Sequence, residues 1–332
     1  MTAASVELAV DPRAPRPTGL AAVLGLGSAL PQRSVPSEEV AARIGVDAAW
    51  IQRRTGIQAR RRAGPEDSCV SLAAEAGRAA LDDAGAAAEQ LDLVIVATMT
   101  PDFATPQVAP LVAAALGAPN AGAFDVGAAC SGWLSALGTA AALLETGRAS
   151  CALVVGVEIM SRVVDETDRG TAPLFGDGAG AVVLGAGDGG VGPVVLGSDG
   201  DAAEHIVCPL GGVLRMDGHA TFRRAVDEMT EAAREACRRA QITLDEVDLV
   251  VPHQANARII AGIRERLGLP AERMLDAIAE TGNTSAASLP IALTEAAATG
   301  RLAPGSRVLL VAFGAGLTWG AALVDWGGSA AQ

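Results

Sequence analysis

Two kinds of apolar segment alternate along the chain. Short runs such as LDLVIVATMT (Leu91–Thr100) and CALVVGVE (Cys151–Glu158) carry apolar residues at successive positions, which covers both faces of a strand. Strands of this kind belong to sheets that are packed by helices on both sides. Longer Ala-rich stretches of helical length separate them. The alternation predicts an α/β fold with right-handed crossover connections.

The pattern occurs twice in the same order. Leu91–Thr100 and Cys151–Glu158 are echoed 156 residues later by VDLVVPHQAN and RVLLVAFG, and the Ala-rich segment Cys130–Arg148 is echoed 153 residues later by NTSAASLPIALTEAAATGR. We therefore predict two duplicated α/β halves. With their flanking segments, the predicted units are a flexible arm (1–19), an N-terminal half (20–186), a C-terminal half (187–328) and a tail (329–332).

The two Ala-rich helices have almost no charge. Residues 130–144 carry none and residues 283–297 carry one, so neither helix has a polar face for water. We expect them to pack together between the two sheets, which gives five layers in the order αβαβα. The repeat also places Cys130 and Asn283 at equivalent helix starts, where distant parts of the sequence converge.

Composition narrows the class of function. The chain has 332 residues and a formal net charge of −13, and such a field repels a phosphate backbone, so no nucleic-acid partner is expected. The five cysteines are widely spaced and form no CxxC pair, which favours a reducing cytoplasm over a disulfide framework. The N-terminus shows no signal-peptide pattern. The uncharged stretch Val126–Leu144 approaches the length of a membrane span, but its glycines and serines favour a buried helix, and we predict no membrane contact.

Three residues at segment junctions are candidates for chemistry. Cys130 lies where a strand becomes a helix, His253 follows the strand Leu249–Val251, and Asn283 begins the second Ala-rich helix. Helix N-terminal N–H groups and a nearby imidazole favour a thiolate, and imidazole and amide N–H groups suit a developing oxyanion. Each residue alone is equally compatible with a structural role, as a buried thiol, a hydrogen-bonded histidine or a helix cap.

The motifs around these residues resemble one enzyme family. AACSGW, VPHQANARII, GNTSAAS and FGAGLTWG, with WIQRRTGI and TDRGTAPLFGDGAGA, are similar in sequence and order to those of ketoacyl-acyl carrier protein synthase III, a thiolase-fold condensing enzyme. The resemblance implies a thiolase-like fold and a two-step reaction. An acyl-CoA first acylates a cysteine. Malonyl-acyl carrier protein then loses CO₂, and its carbanion attacks the thioester to give a β-ketoacyl-carrier protein.

By motif position, the resemblance implies a role for each candidate. Cys130 would be the nucleophile, while His253 and Asn283 would hold the malonyl thioester oxygen as the enolate forms. The backbone N–H groups of Cys130 and of a residue near Ala315 would form the oxyanion hole for the acyl thioester. No metal or redox cofactor is implied, and the sequence shows no metal-ligand spacing.

The segment WIQRRTGIQARRR is unusually basic for an acidic chain. Its five arginines predict a local positive patch, or alternatively a solvated loop. The resemblance implies that Trp50 stacks on the CoA adenine, that Arg54 and Arg169 contact its base and phosphates, and that Arg258 contacts the carrier protein or the pantetheine phosphate. Stacking with guanidinium groups suits a nucleotide that carries phosphates, and arginines steer an acidic carrier protein.

Two departures from the family pattern concern the acyl group. Thr105 stands where the acetyl-selective type has a phenylalanine that reaches the end of the acyl pocket across a dimer, so we expect a starter longer or more branched than acetyl. Residues 187–216, which help wall this pocket, form a shorter segment than usual, and Phe313 is a second candidate for its wall.

His219 is interpreted as a surface residue. The apolar residues 98–124 fit a surface buried in a twofold homodimer.

Two other functions remain open at this point. An acyltransferase of the same fold would use Cys130 and His253 to pass the acyl group to a hydroxyl or an amine, although an enolate is the clearest use for Asn283. A subunit that only binds carrier proteins would be expected to lack the cysteine or the histidine. The sequence does not choose between fatty-acid initiation and polyketide starter loading.

Overall fold

The computed structural model describes residues 21–327, and the arm (1–19) and tail (329–332) expected from the sequence lie outside them. Within the described residues the chain forms thirteen strands and eight α-helices, joined by loops and short 3₁₀ turns. The strands are β1 (Ala22–Ala29), β2 (Arg33–Pro36), β3 (Ala59–Arg62), β4 (Leu93–Ala97), β5 (Gly122–Val126), β6 (Cys151–Ile159), β7 (Asp177–Gly185), β8 (Gly189–Ser198), β9 (Ile206–Val207), β10 (Arg215–Met216), β11 (Leu249–Pro252), β12 (Arg307–Gly314) and β13 (Thr318–Trp326). The helices are α1 (Ser37–Ile44), α2 (Ala48–Thr55), α3 (Cys69–Ala84), α4 (Val108–Leu116), α5 (Gly132–Glu145), α6 (Gly218–Ala240), α7 (Ala257–Leu267) and α8 (Ser288–Ala298).

The first half of the chain builds a five-stranded sheet in the order β1-β7-β6-β4-β5. β4 runs parallel to β5 and β6, and β7 runs antiparallel to β6 and β1. Every residue of β4 and β7 is buried, as expected for strands covered on both faces. β5 is one of the two edge strands, and none of its five residues is fully buried.

The second half repeats this arrangement with one strand fewer. Its sheet has the order β8-β13-β12-β11, with β11 parallel to β12 and β13 antiparallel to both β12 and β8. A single parallel bridge between Val250 and Met274 stands beside β11, in the place that β5 takes beside β4. The chain passes from the first sheet to the second between β7 and β8.

Helices cover the two sheets in three layers. α5 and α8 lie between the sheets and share one hydrophobic cluster with their inner faces, to which Trp133, Leu137, Leu289 and Leu293 belong. α3 and α4 cover the outer face of the first sheet, and α6 and α7 cover that of the second. This is the five-layer order expected from the sequence, so the thiolase-like fold class is confirmed. Between residues 21 and 327, no helix is long and apolar enough to cross a membrane.

The two central helices begin alike but differ in length. A 3₁₀ turn precedes each of them, Ala129–Ser131 before α5 and Ser285–Ala287 before α8. The first residue of each turn is left-handed, with φ 44° at Ala129 and 49° at Ser285. α5 has 14 residues and α8 has 11. The halves therefore correspond with a shift of 156 at the turns, 153 at the ends of the helices and 156 again at β6 and β12.

This correspondence corrects one expectation from the sequence. Cys130 matches Ala286 across the repeat, and Asn283 lies ahead of its turn, so the predicted equivalence of Cys130 with Asn283 is wrong. The sequence alignment followed the helix ends, which are related by the smaller shift. The two turns nevertheless lie against each other at the centre of the molecule, and this brings both halves to one site.

Candidate active site

A cavity of about 600 Å³ receives residues from both halves of the chain. Cys130 follows β5, His253 follows β11, and Asn283 lies just before the turn Ser285–Ala287; all three line the cavity. Side chains that follow parallel strands gather at one edge of a sheet, and the duplicated sheets bring two such edges together. The structure thus brings together the three residues that the sequence singled out.

The backbone at Cys130 is held by a tight turn against β12. Ala129 adopts the left-handed conformation, which is uncommon for a residue with a side chain, and Cys130 follows it in the turn just before α5. Gly314, the last residue of β12, packs directly behind it. A β-carbon at this glycine would lie 2.8 Å from the backbone nitrogen of Cys130, so the close approach requires glycine.

Hydroxyl groups tie this turn to the loop after β12. The side chains of Ser131 and Thr318 are hydrogen-bonded at 2.8 Å, and the Thr318 hydroxyl lies 2.9 Å from the carbonyl oxygen of Ala315. The Cys130 backbone is thereby kept beside the Gly314–Ala315 segment. Ala315 also lines the cavity.

His253 is fixed in a neutral state. Its backbone N–H donates to the carbonyl of Val311 at 2.7 Å, and the next residue, Gln254, ties the loop down by accepting the Ala277 N–H at 2.7 Å. The histidine is 2% exposed, and its Nδ1 has no hydrogen-bond partner within residues 21–327. Burial lowers the pKa of the imidazole to about 3, so at neutral pH the ring is uncharged and keeps one N–H donor.

Asn283 has one end of its amide engaged. Its backbone N–H donates to the carbonyl of Leu174 and its carbonyl accepts from Gly176, both at 2.9 Å, which holds it against the N-terminal half. The side-chain Oδ1 accepts the backbone N–H of Ser285 at 2.8 Å. Because the oxygen is used in this way, the NH₂ group remains a donor for a ligand, and no acceptor in the described part of the chain binds it.

Burial opposes ionisation of the Cys130 thiol, against the helix and imidazole effects that favour a thiolate. Burial raises the pKa of Cys130 to about 12. Its hydrogen-bond partner is the Ser285 hydroxyl, at 3.4 Å from Sγ. Within residues 21–327 no hydrogen bond joins this thiol to His253.

A buried carboxylate, Glu158, lies behind Ser285 and was not among the residues predicted from the sequence. The Ser285 hydroxyl donates to Oε1 of Glu158 at 3.0 Å, and Glu158 also accepts from the hydroxyls of Thr98 (3.2 Å) and Thr100 (2.6 Å). Glu158 is wholly buried, and burial raises its pKa to about 7. A signal was present, since this is the one acidic residue in the otherwise apolar run CALVVGVEI of β6.

The cavity opens between exposed cationic side chains. The Arg54 guanidinium stacks on the Trp50 ring at 4.5 Å, and Arg258 lies over the Phe222 ring at 5.6 Å. Arg169 is held by the carbonyls of Ile44 (2.8 Å) and Gly45 (3.2 Å). All four residues that the resemblance assigns to CoA or carrier binding line this cavity. Arg223, which the sequence did not single out, lines it as well.

The arginine-rich segment is not the single positive patch that its composition predicts. Arg60 and Arg62 are buried in β3, where Arg60 donates to the carbonyl of Pro173 at 2.8 Å and Arg62 donates to that of Phe175 at 2.9 Å. They hold the wall of the cavity in place. Of the five arginines of the segment, Arg54 is the one that lines the cavity.

The two predicted acyl-pocket residues differ in position. Phe313 is buried and lines the cavity, whereas Thr105 is exposed and does not line the cavity of its own chain. A role for Thr105 at an acyl group therefore requires a second copy. The shortened segment 187–216 does contribute to the wall, and His219 is exposed but also lines the cavity.

Methionines make up much of the apolar lining. Of the six methionines in the chain, four line the cavity: Met99, Met160, Met216 and Met229. Unbranched thioether side chains adapt to ligands of different shape. The sequence pattern does not reveal this lining, because the four methionines lie in separate segments of the chain.

The described residues contain no disulfide bond and no metal-binding cluster. All five cysteines are free thiols. Across residues 21–327, no group of three or more His, Cys, Asp or Glu side chains is arranged to hold a metal ion.

Two family models match the chain. The C-terminal model of 3-oxoacyl-[acyl-carrier-protein] synthase III matches residues 237–326, and a second model of the same family matches residues 124–200. These ranges include Cys130, His253 and Asn283.

Relatives and solved structures match over nearly the whole chain. A protein of Streptomyces coelicolor named beta-ketoacyl-[acyl-carrier-protein] synthase III 2 is 48% identical over 314 residues, covering 93% of this chain and 94% of that protein. The crystal structure of 3-oxoacyl-[acyl-carrier-protein] synthase III from Aquifex aeolicus has a TM-score of 0.90 at 40% identity and covers 92% of this chain and 100% of that one. The priming beta-ketosynthase of the R1128 polyketide pathway has a TM-score of 0.89 at 40% identity and covers 95% and 99%.

Proposed function

The chain belongs to the 3-oxoacyl-[acyl-carrier-protein] synthase III family, and from that premise we propose how its residues perform the reaction. It is an acyltransferase that condenses an acyl-CoA starter with malonyl-acyl carrier protein, with loss of CO₂, to give a β-ketoacyl-carrier protein. The carrying observation is that Cys130, His253 and Asn283, from three distant segments, line one cavity with a cationic rim.

Cys130 takes the starter in the first half-reaction. Its sulfur attacks the thioester carbonyl of the acyl-CoA, and negative charge develops on the carbonyl oxygen. The backbone N–H groups of Cys130 and Ala315 receive that oxygen. The close packing of Gly314 behind Cys130 supports this assignment, because it keeps the two backbone segments side by side.

His253 and Asn283 act in the second half-reaction. As malonyl-acyl carrier protein loses CO₂, the thioester oxygen becomes an enolate oxygen that needs hydrogen-bond donors. A neutral imidazole N–H and the free NH₂ of an amide are such donors. The low pKa of His253 and the engaged Oδ1 of Asn283 support this division of labour. The enolate carbon then attacks the acyl group on Cys130.

The cationic rim binds the two phosphate-bearing substrates. The CoA adenine stacks at Trp50, and Arg54 and Arg169 contact its base and phosphates. Arg258 contacts the carrier protein or its pantetheine phosphate. An acidic carrier protein is attracted to this rim although the chain as a whole is acidic.

The starter is longer or more branched than acetyl. Thr105, reaching the pocket from a second copy, leaves space that a phenylalanine would fill, and the methionine-rich wall adapts to a longer chain. Each buried methylene contributes about 0.8 kcal/mol, which favours a longer acyl group where the pocket has room, and we place the preferred length at roughly four to eight carbons.

The working form is a cytoplasmic homodimer without a metal or redox cofactor. The edge strand β5 is partly exposed, and Phe103 (58% exposed) and Leu196 (53% exposed) leave apolar surface that a second copy would cover. Five free thiols are compatible with a reducing compartment. The groups assigned above supply the nucleophile and the oxyanion donors of both half-reactions.

The Asn283→Ala variant tests the assignment. It removes an enolate donor, and with it the Oδ1 that accepts the Ser285 N–H, but leaves Cys130. Condensation with malonyl-carrier protein is therefore expected to fall by about 10²–10³, and acylation by acyl-CoA to fall much less. Intact-mass measurement follows the first step, and CO₂ release follows the second. Normal condensation with slow acylation would reverse the assigned roles. Acyl transfer to a hydroxyl or amine without CO₂ release would support an acyltransferase instead.

A further inference from the structure

We propose that Ser285 and Glu158 form a proton relay that takes the proton from the Cys130 thiol as the acyl group arrives. The proposal rests on the proposed function, which makes Cys130 the acylated residue. Ser285 is the catalytic member, since its hydroxyl touches the reacting thiol. Glu158 acts through it, as the residue that positions this hydroxyl and holds the proton.

The hydrogen bonds of the three side chains point in one direction. The Cys130 S–H donates to the Ser285 Oγ at 3.4 Å, and the Ser285 O–H donates to Glu158 Oε1 at 3.0 Å. The backbone N–H of Ser285 is bound by Asn283 Oδ1 at 2.8 Å, which fixes the serine in place. The thiol thus faces an acceptor that is itself aimed at a carboxylate.

The surroundings of Glu158 prepare it as an acceptor. Glu158 accepts hydrogen bonds from the Thr98, Thr100 and Ser285 hydroxyls and from the Met99 N–H. The charged or titratable groups on its other sides are the buried Cys69 thiol and, beyond it, the Arg162–Asp102 ion pair at 2.8 Å. Burial raises the pKa of Glu158 to about 7, so it holds a proton more readily than an ordinary carboxylate.

A relay avoids placing two negative charges in the same buried site. If the thiol lost its proton to solvent, a thiolate would stand near an ionised Glu158, and that repulsion is one of the causes that raise the pKa of Cys130. When the proton passes to Glu158, the cluster keeps a single negative charge. His253 is a poor alternative acceptor, because burial lowers the pKa of its imidazole to about 3.

The relay takes the proton from Cys130 and later transfers it to the leaving CoA thiolate. The Cys130 S–H bond breaks as a Ser285 O–H bond forms, and the original Ser285 proton passes to Glu158. The sulfur then bonds to the acyl carbon, and the bond from that carbon to the CoA sulfur breaks. The departing CoA thiolate receives the proton from Glu158 through Ser285, so the products are acyl-Cys130 and CoA with its thiol protonated.

The pH dependence of Cys130 reactivity tests the relay with two probes. One is alkylation by iodoacetamide, read at Cys130 by peptide mass spectrometry, and the other is acylation by an acyl-CoA, read as intact mass. In the parent protein both rates are expected to rise with pH and to level off above about pH 7, since the carboxylate is the acceptor. A parent profile without this rise contradicts the relay.

Three variants separate a relay from a structural role. Glu158→Gln keeps the size of the side chain, and Ser285→Ala removes the bridging hydroxyl; both are expected to abolish the rise near pH 7 and to slow acylation by about 10²–10⁴. Thr98→Val removes one donor to Glu158 without cutting the relay, so the rise remains and its midpoint moves to higher pH. Thermal unfolding checks that each variant is folded. Parent-like rates and midpoints in Glu158→Gln overturn the proposal.

The two probes also separate this proposal from the proposed function. A rise in alkylation that is lost in Glu158→Gln, without acylation by any acyl-CoA, supports the relay and contradicts the condensing role. Acylation of Cys130 that is unaffected in Glu158→Gln and Ser285→Ala supports the condensing role and contradicts the relay.

Discussion

The turns Ala129–Ser131 and Ser285–Ala287 share one backbone shape but stand against different strand residues. Behind the first turn lies Gly314 at the end of β12, close to the Cys130 nitrogen. Behind the second lies Glu158, at the matching position of β6, which accepts the Ser285 hydroxyl at 3.0 Å. The two turns thus share a backbone conformation but differ in the residue at the matching strand position.

The difference shows where the chemistry of each turn is determined. A glycine lets backbone N–H groups stand at the cavity without obstruction, which suits an oxyanion. A carboxylate at the same place offers an acceptor for protons. The left-handed residue is retained in both turns, at Ala129 and Ser285, because each turn starts a buried central helix.

Filling the space behind the first turn is expected to have the largest effect on activity. In Gly314→Ala, the added β-carbon meets the Cys130 nitrogen at 2.8 Å, and the backbone has to move. We expect acylation of Cys130 to fall by about 10²–10³, the usual cost of losing an oxyanion donor. Single-turnover CoA release measures it. Gly200→Ala is the control, because a β-carbon there meets nothing within 4 Å. Equal rates in the two variants would mean that the approach of Gly314 is unimportant.

Removing the charge behind the second turn changes the pH dependence of stability. The pKa of Glu158 is raised from 4.5 to about 7 in the folded protein, so the folded state binds the proton more tightly than the unfolded state. Its contribution to stability is full below pH 4.5 and is lost as the pH rises through 7, by an amount on the order of 3 kcal/mol.

Glu158→Gln removes this loss of stability. Its melting temperature is expected to gain on that of the parent as the pH rises from 5 to 8. His253 works in the other direction at lower pH, since its depressed pKa reduces stability as the pH falls below 6.5. The comparison of parent with variant cancels this effect. A difference that does not change with pH would show that Glu158 is not a raised carboxyl group.

The end of the acyl pocket gives the smallest effect. Each methylene changes affinity about fourfold, so two or three carbons change starter preference by roughly ten- to a hundredfold. Thr105→Phe is expected to shift preference towards acetyl-CoA in a competition with butyryl-, isobutyryl-, hexanoyl- and octanoyl-CoA for Cys130. Thr299→Phe, on an exposed helix end, is the control. A parent that already prefers acetyl, or an unchanged ranking, would assign chain length to the wall formed by residues 187–216.

The sequence predicts the fold well because the apolar periodicity is strong and is repeated. The buried runs of β4, β6, β11 and β12 follow from continuous apolar residues, and the five layers follow from two nearly uncharged helices. The register of the repeat was harder to predict. α8 is three residues shorter than α5, and the sequence repeat alone does not show at which end of the helix this difference lies.

The site was predicted as a set of residues but not as an electrostatic environment. The motifs single out Cys130, His253 and Asn283. Burial shifts the pKa of the thiol and of the imidazole towards their neutral forms, and burial is a property of the folded chain. Arg60 and Arg62 are a second example: their charge predicts a surface patch, but the structure buries both side chains in β3. Glu158 contacts Ser285 across 127 positions of sequence, which no local pattern reports.

The intact mass of the protein after exposure to acyl-CoA tests the central claim most directly. The parent is expected to gain one acyl group, located on Cys130 by peptide mapping, and to lose it to a β-ketoacyl product when malonyl-carrier protein is added. Cys130→Ala is expected to gain no acyl group from the same CoA thioesters. Acylation of Cys130→Ala at the parent rate would place the nucleophile elsewhere and contradict the account.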